Sequence, residues 1–477
     1  MVIQDEAALL DLLYRELGAV VISEGPKAGT IKLNGVVTAI AAANGAIAPA
    51  CLNCGRLAEW KSATHHWFCL DCRNGVDPEQ HGRLGKTLDV FKEWLHLPNP
   101  DHVVAALGAV AADLLDGDPV WILFVGAPGS GKTEAIQPLA RLEYVHPAAT
   151  LTEPALLSGT PKKSAESDAT GGLLRQIGDF GIILIKDFSG VLSMHREQKA
   201  AVLAALRGIY DGSWSRPVGT DGGRVLHWSG HAGVVGAVTP SIDHHTSVMG
   251  ALGQRFVLYR LDAESLDAKT ERALANFGEE QRMRGQLADA VELVLDGVER
   301  RKPAGLTAEE VGRMASIAGF AARARSAVER DGYNRRVVVM PEYEHATRLS
   351  KQLAQLRAGI LAVGADDATA WRIVTKVALD TIPRLRWNIL KALRSADHHL
   401  KTGELVSVTG IPRKTLDEHV DDLTLLKLVK REKAGASRTS PWVHRLANWV
   451  RDEWPEGFGE IRQIGSGHGE EPDQAPS

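Results

Sequence analysis

From Val120 to Leu261 short apolar runs alternate with stretches in which apolar residues return every three to four positions. The runs Val120–Val125, Ile182–Ile185, Gly233–Val238 and Phe256–Leu261 read as buried strands. The periodic stretches between them read as crossover helices, so the pattern predicts an α/β sheet. Thr87 to Asp116 predicts two helices ahead of the first strand. Residues from about Ala263 to Val363 are helical and charged, broken by Val337-Val338-Val339, and suit a helical lid. Around residues 384–445 the pattern predicts an amphipathic helix (Leu385, Ile389, Leu390, Leu393), a second helix ending at Gly410, a third beginning at Pro412, and two short strands around Gly435. Asp5 to Leu17 is helix-like, and the Gly/Ala-rich run Ile31 to Ala50 alternates too weakly to name a fold. Gly465 to Ser477 has almost nothing to bury and is expected to be disordered.

At 477 residues the chain can hold several cores. Its 44% hydrophobic and 24% charged content is that of a soluble globular protein. No apolar stretch is long enough for a membrane span and no signal peptide opens the chain, so the expected location is cytoplasmic. A formal net charge of −4 excludes a generally polyanion-coating surface, and any nucleic-acid contact must be local.

The strongest chemical signal is Gly126-Ala127-Pro128-Gly129-Ser130-Gly131-Lys132-Thr133, which follows an apolar strand and precedes a helical period. Glycines let successive backbone N–H groups converge on a phosphate. Lys132 reaches the β and γ phosphates of ATP, and Thr133 ligates Mg2+. Ile182–Ile185 ends in Lys186-Asp187-Phe188, where such a site places an acid. With one acid available, Asp187 is either the magnesium partner or the water-activating group, and the sequence leaves both open. Asp-Gly-Gly at 221–223 predicts a β-hairpin turn between two alternating segments. Gly233–Val238 ends in Thr239, whose hydroxyl could lie near a γ-phosphate, and Arg255 precedes the last apolar strand.

This order of parts resembles the AAA+ ATPases, and within them the branch with a hairpin inserted before the third motif strand, to which the minichromosome-maintenance (MCM) helicases belong. Lys186-Asp187-Phe188, Tyr210-Asp211-Gly212, Val238-Thr239-Pro240 and Gly253-Gln254-Arg255-Phe256 further resemble a group of phage and prophage replication-linked ATPases, over roughly residues 90–360. The resemblance implies a three-layer P-loop core with Asp187 as Walker B acid, Thr239 as sensor one and Arg255 as a finger acting on a neighbouring subunit. It also implies a sensor-two arginine, for which Arg348 is the choice, and a ring, as a hexamer, with Arg216 and Arg224 of the hairpin against single-stranded DNA in its pore.

Cys51-x2-Cys54 and Cys69-x2-Cys72, fourteen residues apart, have the spacing of a tetrahedral structural Zn2+ site. The C-terminal unit resembles a winged helix, with Arg413 and Lys414 at the start of its third helix and Lys430, Arg431 and Lys433 on the wing, suited to phosphate contact. Asp417, Glu418, Asp421 and Asp422 on that helix would repel phosphate. The expected organisation is 1–50 of unnamed fold, a zinc module at 51–85, the ATPase core at 86–262, a lid at 263–375, a winged helix at 380–450 and a tail at 463–477. The expected function is an ATP-driven ring motor on DNA, an MCM-like helicase or translocase of a phage or mobile element working with replication partner proteins. A winged-helix transcription regulator and a MoxR-like protein remodeller are the alternatives.

Overall fold

The computed structural model describes residues 78–454 except 159–170, 220–222, 246–249, 251–252, 262–265, 332, 334 and 438; before residue 78 it describes strands only. Those strands are β1 (Val20–Ile22), β2 (Thr30–Leu33), β3 (Val36–Ile40) and β4 (Ile47–Pro49), which form one antiparallel sheet, and the pair β5 (Trp60–Lys61) and β6 (Trp67–Phe68). Cys51, Cys54, Cys69 and Cys72, the helix-like stretch 5–17 and the segment 463–477 lie outside the described residues.

Two helices, α1 (Pro78–Trp94) and α2 (Asp101–Leu114), lead into β7 (Trp121–Val125), which is buried along its whole length. After it come α3 (Lys132–Ile136), β8 (Val145–Ala148), α4 (Glu153–Leu156), α5 (Leu173–Ile177), β9 (Phe180–Ile185), α6 (Ser189–Leu192) and α7 (Arg196–Tyr210). The hairpin β10 (Ser213–Val218) and β11 (Arg224–Ser229) precedes β12 (His231–Val238) and β13 (Phe256–Arg260). The central sheet is parallel in the order β13-β7-β12-β9-β8. Parallel strands covered on both faces read as continuous apolar runs, which is why the sequence pattern located them.

Alternate residues of each strand feed two separate cores. Trp121, Leu123, Val125, Ile183, Ile185 and Phe256 pack against α4–α7 on one face. Ile122, Phe124, Ile182, Leu184, Val257 and Tyr259 face the other layer, which holds α1 and α2 together with later helices. After α8 (Leu266–Ala275), none of whose described residues is buried, these are α9 (Glu280–Asp296), α10 (Ala308–Arg325), α11 (Thr347–Ala362) and α12 (Asp367–Asp380). Of the segment expected as a lid, α9–α12 contribute buried residues to this second face. Small residues permit this: α11 lies so close to α2 that a Cβ on Gly359 would stand 2.0 Å from the Gly108 carbonyl oxygen. Gln355 then donates to the Ala112 carbonyl at 2.8 Å.

The chain continues through α13 (Arg384–Ser395), β14 (Leu400–Lys401), α14 (Thr402–Thr409), α15 (Arg413–Leu425), β15 (Val429–Lys433), β16 (Trp442–Leu446) and α16 (Asn448–Asp452). α14 stops at Gly410, which takes the left-handed conformation (φ +66°) that a residue with a Cβ disfavours. The strands form a small antiparallel sheet in the order β14-β16-β15. Leu390, Leu393, Leu405, Leu416, Val420 and Leu446 join the same continuous core as α9–α12.

Candidate nucleotide site and its surroundings

The loop after β7 is shaped by Gly129 (φ +75°) and Gly131 (φ +87°), both left-handed, and a Cβ on either would face open space. The helix that follows, α3, is only five residues long. Pro138 ends it, because proline supplies no amide N–H and cannot continue the ladder, and the chain turns into a 3-10 segment, Gln137–Arg141. Lys132 is 8% exposed; its ammonium donates to the carbonyls of Gly126 and Ala127, each at 2.6 Å, and to Ser130 Oγ at 3.3 Å. Burial holds its pKa below the ordinary lysine value, and the Asp187 carboxylate works in the opposite direction.

Asp187 follows β9, and β9 is separated from β7 by β12. The Asp187 carboxylate is exposed and accepts from the Ser189 amide at 2.9 Å, while the next residue, Phe188, is fully buried. Lys186 is exposed. Thr239 ends the intervening strand: Gly126 N donates to Val238 O at 3.2 Å, and the Thr239 and Ser189 hydroxyls are 3.1 Å apart. Thr239 Oγ1 is also 2.6 Å from Ser241 Oγ. The loop, Asp187 and Thr239 thus meet at the C-terminal edge of three neighbouring strands, where a parallel sheet places its ligand crevice. Ser189 bridges the acid and the threonine, and Lys269 of α8 donates to the Ser130 carbonyl at 3.5 Å. Sequence reasoning missed both, since a lone serine or lysine at those positions carries no motif.

Arg255 and Arg348 lie at the other end of the sheet. Phe256 pairs with Trp121, the first residue of β7. Arg255 is therefore roughly 13–17 Å from its own loop, at about 3.3 Å per residue. It is 7% exposed, donates to both Asp211 carboxylate oxygens at 2.9 and 2.7 Å, and lies 5.3 Å from the Tyr210 ring centroid. Arg348 donates to the Gly253 carbonyl, beside Arg255 rather than beside Lys132, so it does not meet the loop of its own chain. It lines an open cleft of about 780 Å³ with Asp118, Asp211, His231 and Lys351.

Arg216 and Arg224 fall on the inner, half-buried side of the hairpin, and Arg216 donates to the Leu157 carbonyl at 2.5 Å. Ser213, Ser215, Val225, His227 and Ser229 form the outer side instead. The difference from expectation comes from register: Val218 pairs with Arg224 and Arg216 with Leu226, which puts both arginines on the face that packs.

In the C-terminal unit Arg413, Lys414 and Lys430 are exposed. Lys433 donates to Ser440 O at 2.8 Å and lies 4.5 Å from the Trp442 ring. Arg431 pairs with Asp421 and with Asp417 and stacks over Trp442 at 4.5 Å. Glu418 pairs with Arg335 at 3.0 Å, and Asp422 with Arg330 at 2.7 Å and Arg386 at 3.0 Å. The four acids of α15 are thus neutralised by cations from three other elements, so they present no bare repulsive stripe.

No family model matches this chain, and no curated protein matches it. A solved structure of the Orc1 protein of Aeropyrum pernix in complex with DNA aligns at 14% identity over 74% of this chain and 90% of that one. Its TM-score is 0.23, a value at which the likeness carries no argument about fold or function. Among the described residues no helix is long and apolar enough to cross a membrane, and no group of His, Cys, Asp and Glu is gathered as a metal-ligand set.

Proposed function

We propose that the chain is an AAA+ P-loop ATPase that acts on DNA as a ring-forming motor of the MCM-like kind. The observation that carries this reading is the convergence of Lys132, Asp187 and Thr239 on one edge of adjacent parallel strands. The donor set fits ATP with magnesium: two left-handed glycines leave open space where a Cβ would stand, a buried ammonium lies beside them, and a carboxylate acts on that ammonium. Magnesium would supply charge neutralisation and orientation of the phosphates. Lys132 would exchange the carbonyls of Gly126 and Ala127 for phosphate oxygens, Thr133 and Asp187 would hold the metal, and the Thr239–Ser189 hydroxyl pair would orient an oxygen at the γ position.

Because Arg255 and Arg348 sit at the opposite edge, they support a site completed by a neighbouring subunit, with a hexamer as the proposed ring. Arg348, which lines an open cleft, is the better placed; Arg255 would first have to leave Asp211. With its acids paired, the C-terminal unit is read as a winged helix whose exposed Arg413, Lys414 and Lys430 meet DNA phosphates. A zinc module at Cys51, Cys54, Cys69 and Cys72 and service in phage or mobile-element replication belong to the same proposal.

The test is ATP turnover by the full chain with and without single-stranded DNA, beside Lys132→Ala. The expected result is turnover stimulated by DNA and abolished in the variant. Turnover indifferent to DNA would replace the DNA motor with a protein remodeller, and equal turnover in Lys132→Ala would remove the ATP site altogether.

A further inference from the structure

Helix α8 is built the reverse way round for a surface helix. Among its described residues none is buried. At roughly 100° per residue, Lys269, Arg272 and, one position past its end, Asn276 fall on one side, while Asp267, Glu271 and Leu274 fall on the other. The first side faces the protein. Lys269 donates to the Ser130 carbonyl at 3.5 Å, Arg272 to the Glu93 carbonyl at 3.2 Å and Asn276 to the Trp94 carbonyl at 2.6 Å. The outward side therefore carries the apolar residue. Leu274 is 68% exposed, and Phe277, whose amide donates to the Leu274 carbonyl at 3.1 Å, is 81% exposed. An amphipathic helix buries its apolar stripe, and a ten-residue helix is marginal in water without such packing. Leu274 and Phe277 thus form a knob that calls for a cover.

A matching groove lies elsewhere on the same chain. Met340, Pro341, Tyr343 and Leu425 line an open groove of about 800 Å³ between α10, the segment before α11 and the end of α15. Met340 is 72% exposed. Arg323 and Lys427 also line the groove, against the Tyr343 ring at 4.4 and 5.8 Å, and among the described residues no carboxylate pairs with either. Of the two acids that line it, Glu344 is held by Arg325 at 2.7 Å, which leaves Glu342. The groove is therefore basic on balance. The outer side of α8 is acidic: Asp267 and Glu271 are exposed and, among the described residues, have no ion pair, while the cations Lys269 and Arg272 are turned to the carbonyls beneath the helix. Aromatic and methionine side chains framed by opposite charges are the composition of an interface core and its rim.

Placement decides which molecule brings the two together. Ser130, beneath α8, belongs to the loop after β7, at the edge of the sheet where Lys132, Asp187 and Thr239 meet. The groove belongs to the other edge, because Glu344 and His345 line both it and the cleft that holds Arg348. A knob and its groove on opposite edges cannot meet within one chain, and they are different patches, so they pair head to tail between copies. A copy that brings Arg348 to phosphates at a neighbour's Lys132 also brings Glu344 and His345, and with them the groove, towards that neighbour's α8.

We propose that α8 is the docking element between copies of this chain: Leu274 and Phe277 enter the groove at Met340–Ala346 of the next copy, and Asp267 and Glu271 face its Arg323 and Lys427. This rests on the reading that the nucleotide site is completed by a neighbouring copy, and it names the surfaces that hold the two copies together.

The experiment follows assembly of the full chain with Mg2+ and ATP by sedimentation velocity. Phe277→Glu removes the knob. Gly319→Trp fills the groove, since Gly319 lines it and a Cβ there meets nothing within 4 Å. Each is expected to weaken association by about 30-fold or more, the scale of an interface hot spot. Phe277→Leu keeps an apolar knob and should keep most of the assembly. Each of the two disruptive variants retains one intact surface, so an equimolar mixture of them should form dimers and nothing larger. A benzophenone amino acid in place of Phe277 should, on irradiation, link to residues 340–346 of another copy, as read by mass spectrometry of mixed isotope-labelled and unlabelled chains.

Assembly of Phe277→Glu equal to that of the wild type, or a crosslink from position 277 to a surface other than the groove, overturns docking through α8 and leaves the shared nucleotide site standing. A mixture of the two variants that assembles beyond dimers overturns the head-to-tail pairing. A wild type that stays monomeric with ATP ends the reading of a shared site and this inference with it. Matching circular dichroism spectra of the variants separate lost docking from lost fold.

Discussion

Replacing Asp422 by alanine tests the claim that the acids of α15 are structural. Its carboxylate is the shared partner of two arginines from different elements: Oδ1 accepts from Arg330 and Oδ2 from Arg386 at 3.0 Å. The Arg386 side chain is 4% exposed, and burial holds its pKa below the ordinary arginine value, with Asp422 opposing that shift. Two carbonyls, Ala324 O at 3.1 Å and Ser326 O at 2.7 Å, remain as acceptors in Asp422→Ala, but no anion does. Leaving a buried charge uncompensated costs about 3–5 kcal/mol, whereas replacing the pair by apolar groups of similar size is near neutral. Urea unfolding followed by tryptophan emission suits the test, since Trp387 stacks on Trp454 at 5.5 Å next to Arg386. We expect a loss in that range for Asp422→Ala and recovery of only part of it in Asp422→Leu combined with Arg386→Met, because Arg330 then keeps only the carbonyls of Glu418 and Arg335. A loss below about 1 kcal/mol, the scale of a surface pair, would refute the reasoning.

Gly359→Ala should cost about 3 kcal/mol, the upper part of the overpacking range, because the new Cβ meets backbone on α2, the Gly108 oxygen at 2.0 Å and the Ala112 nitrogen at 2.5 Å. Gly285→Ala on α9, where a Cβ meets nothing within 4 Å, should instead stabilise by about 0.5–1 kcal/mol, and the two unfolding curves measured together check the packing. His444 is fully buried, paired with Thr402 Oγ1 at 2.9 Å, and burial together with the charge of Arg431 pushes its pKa down from 6.5 to about 4. Between those values the unfolded chain binds more protons than the folded one. Stability should therefore fall as pH drops from 6.5 towards 4, by up to about 3 kcal/mol, and His444→Gln should flatten that slope in a pH series of unfolding midpoints.

The parts of this molecule that the sequence discloses are those set by neighbours in the chain. Gly126 to Thr133 is legible because a glycine-rich turn between a strand and a helix is one continuous segment, and β7, β9, β12 and β13 are legible because each is an apolar run covered on both faces. What was illegible depends on pairing across long separations. That Arg216 and Arg224 face inward follows from the β10–β11 register, which one residue of slip would reverse. That α15 carries no bare acidic stripe follows from Arg330, Arg335, Arg386 and Arg431, three of them more than thirty positions away.

Strand direction adds a constraint that neither motif carries alone. In a parallel sheet every strand ends on one edge and begins on the other, so residues after β7, β9 and β12 gather, while a residue before β13 is sent to the far edge. Arg255 stands before β13, and Arg348 reaches only as far as the Gly253 carbonyl next to it. No side-chain rearrangement spans the length of a five-residue strand, roughly 16 Å. If either arginine acts on phosphates bound at Lys132, those phosphates belong to another copy of the chain. Mixing Lys132→Ala chains with Arg348→Ala chains should then restore turnover that neither variant has alone; failure to do so, with assembly intact, would place the completing cation within the subunit, where Lys269 reaches the Ser130 carbonyl.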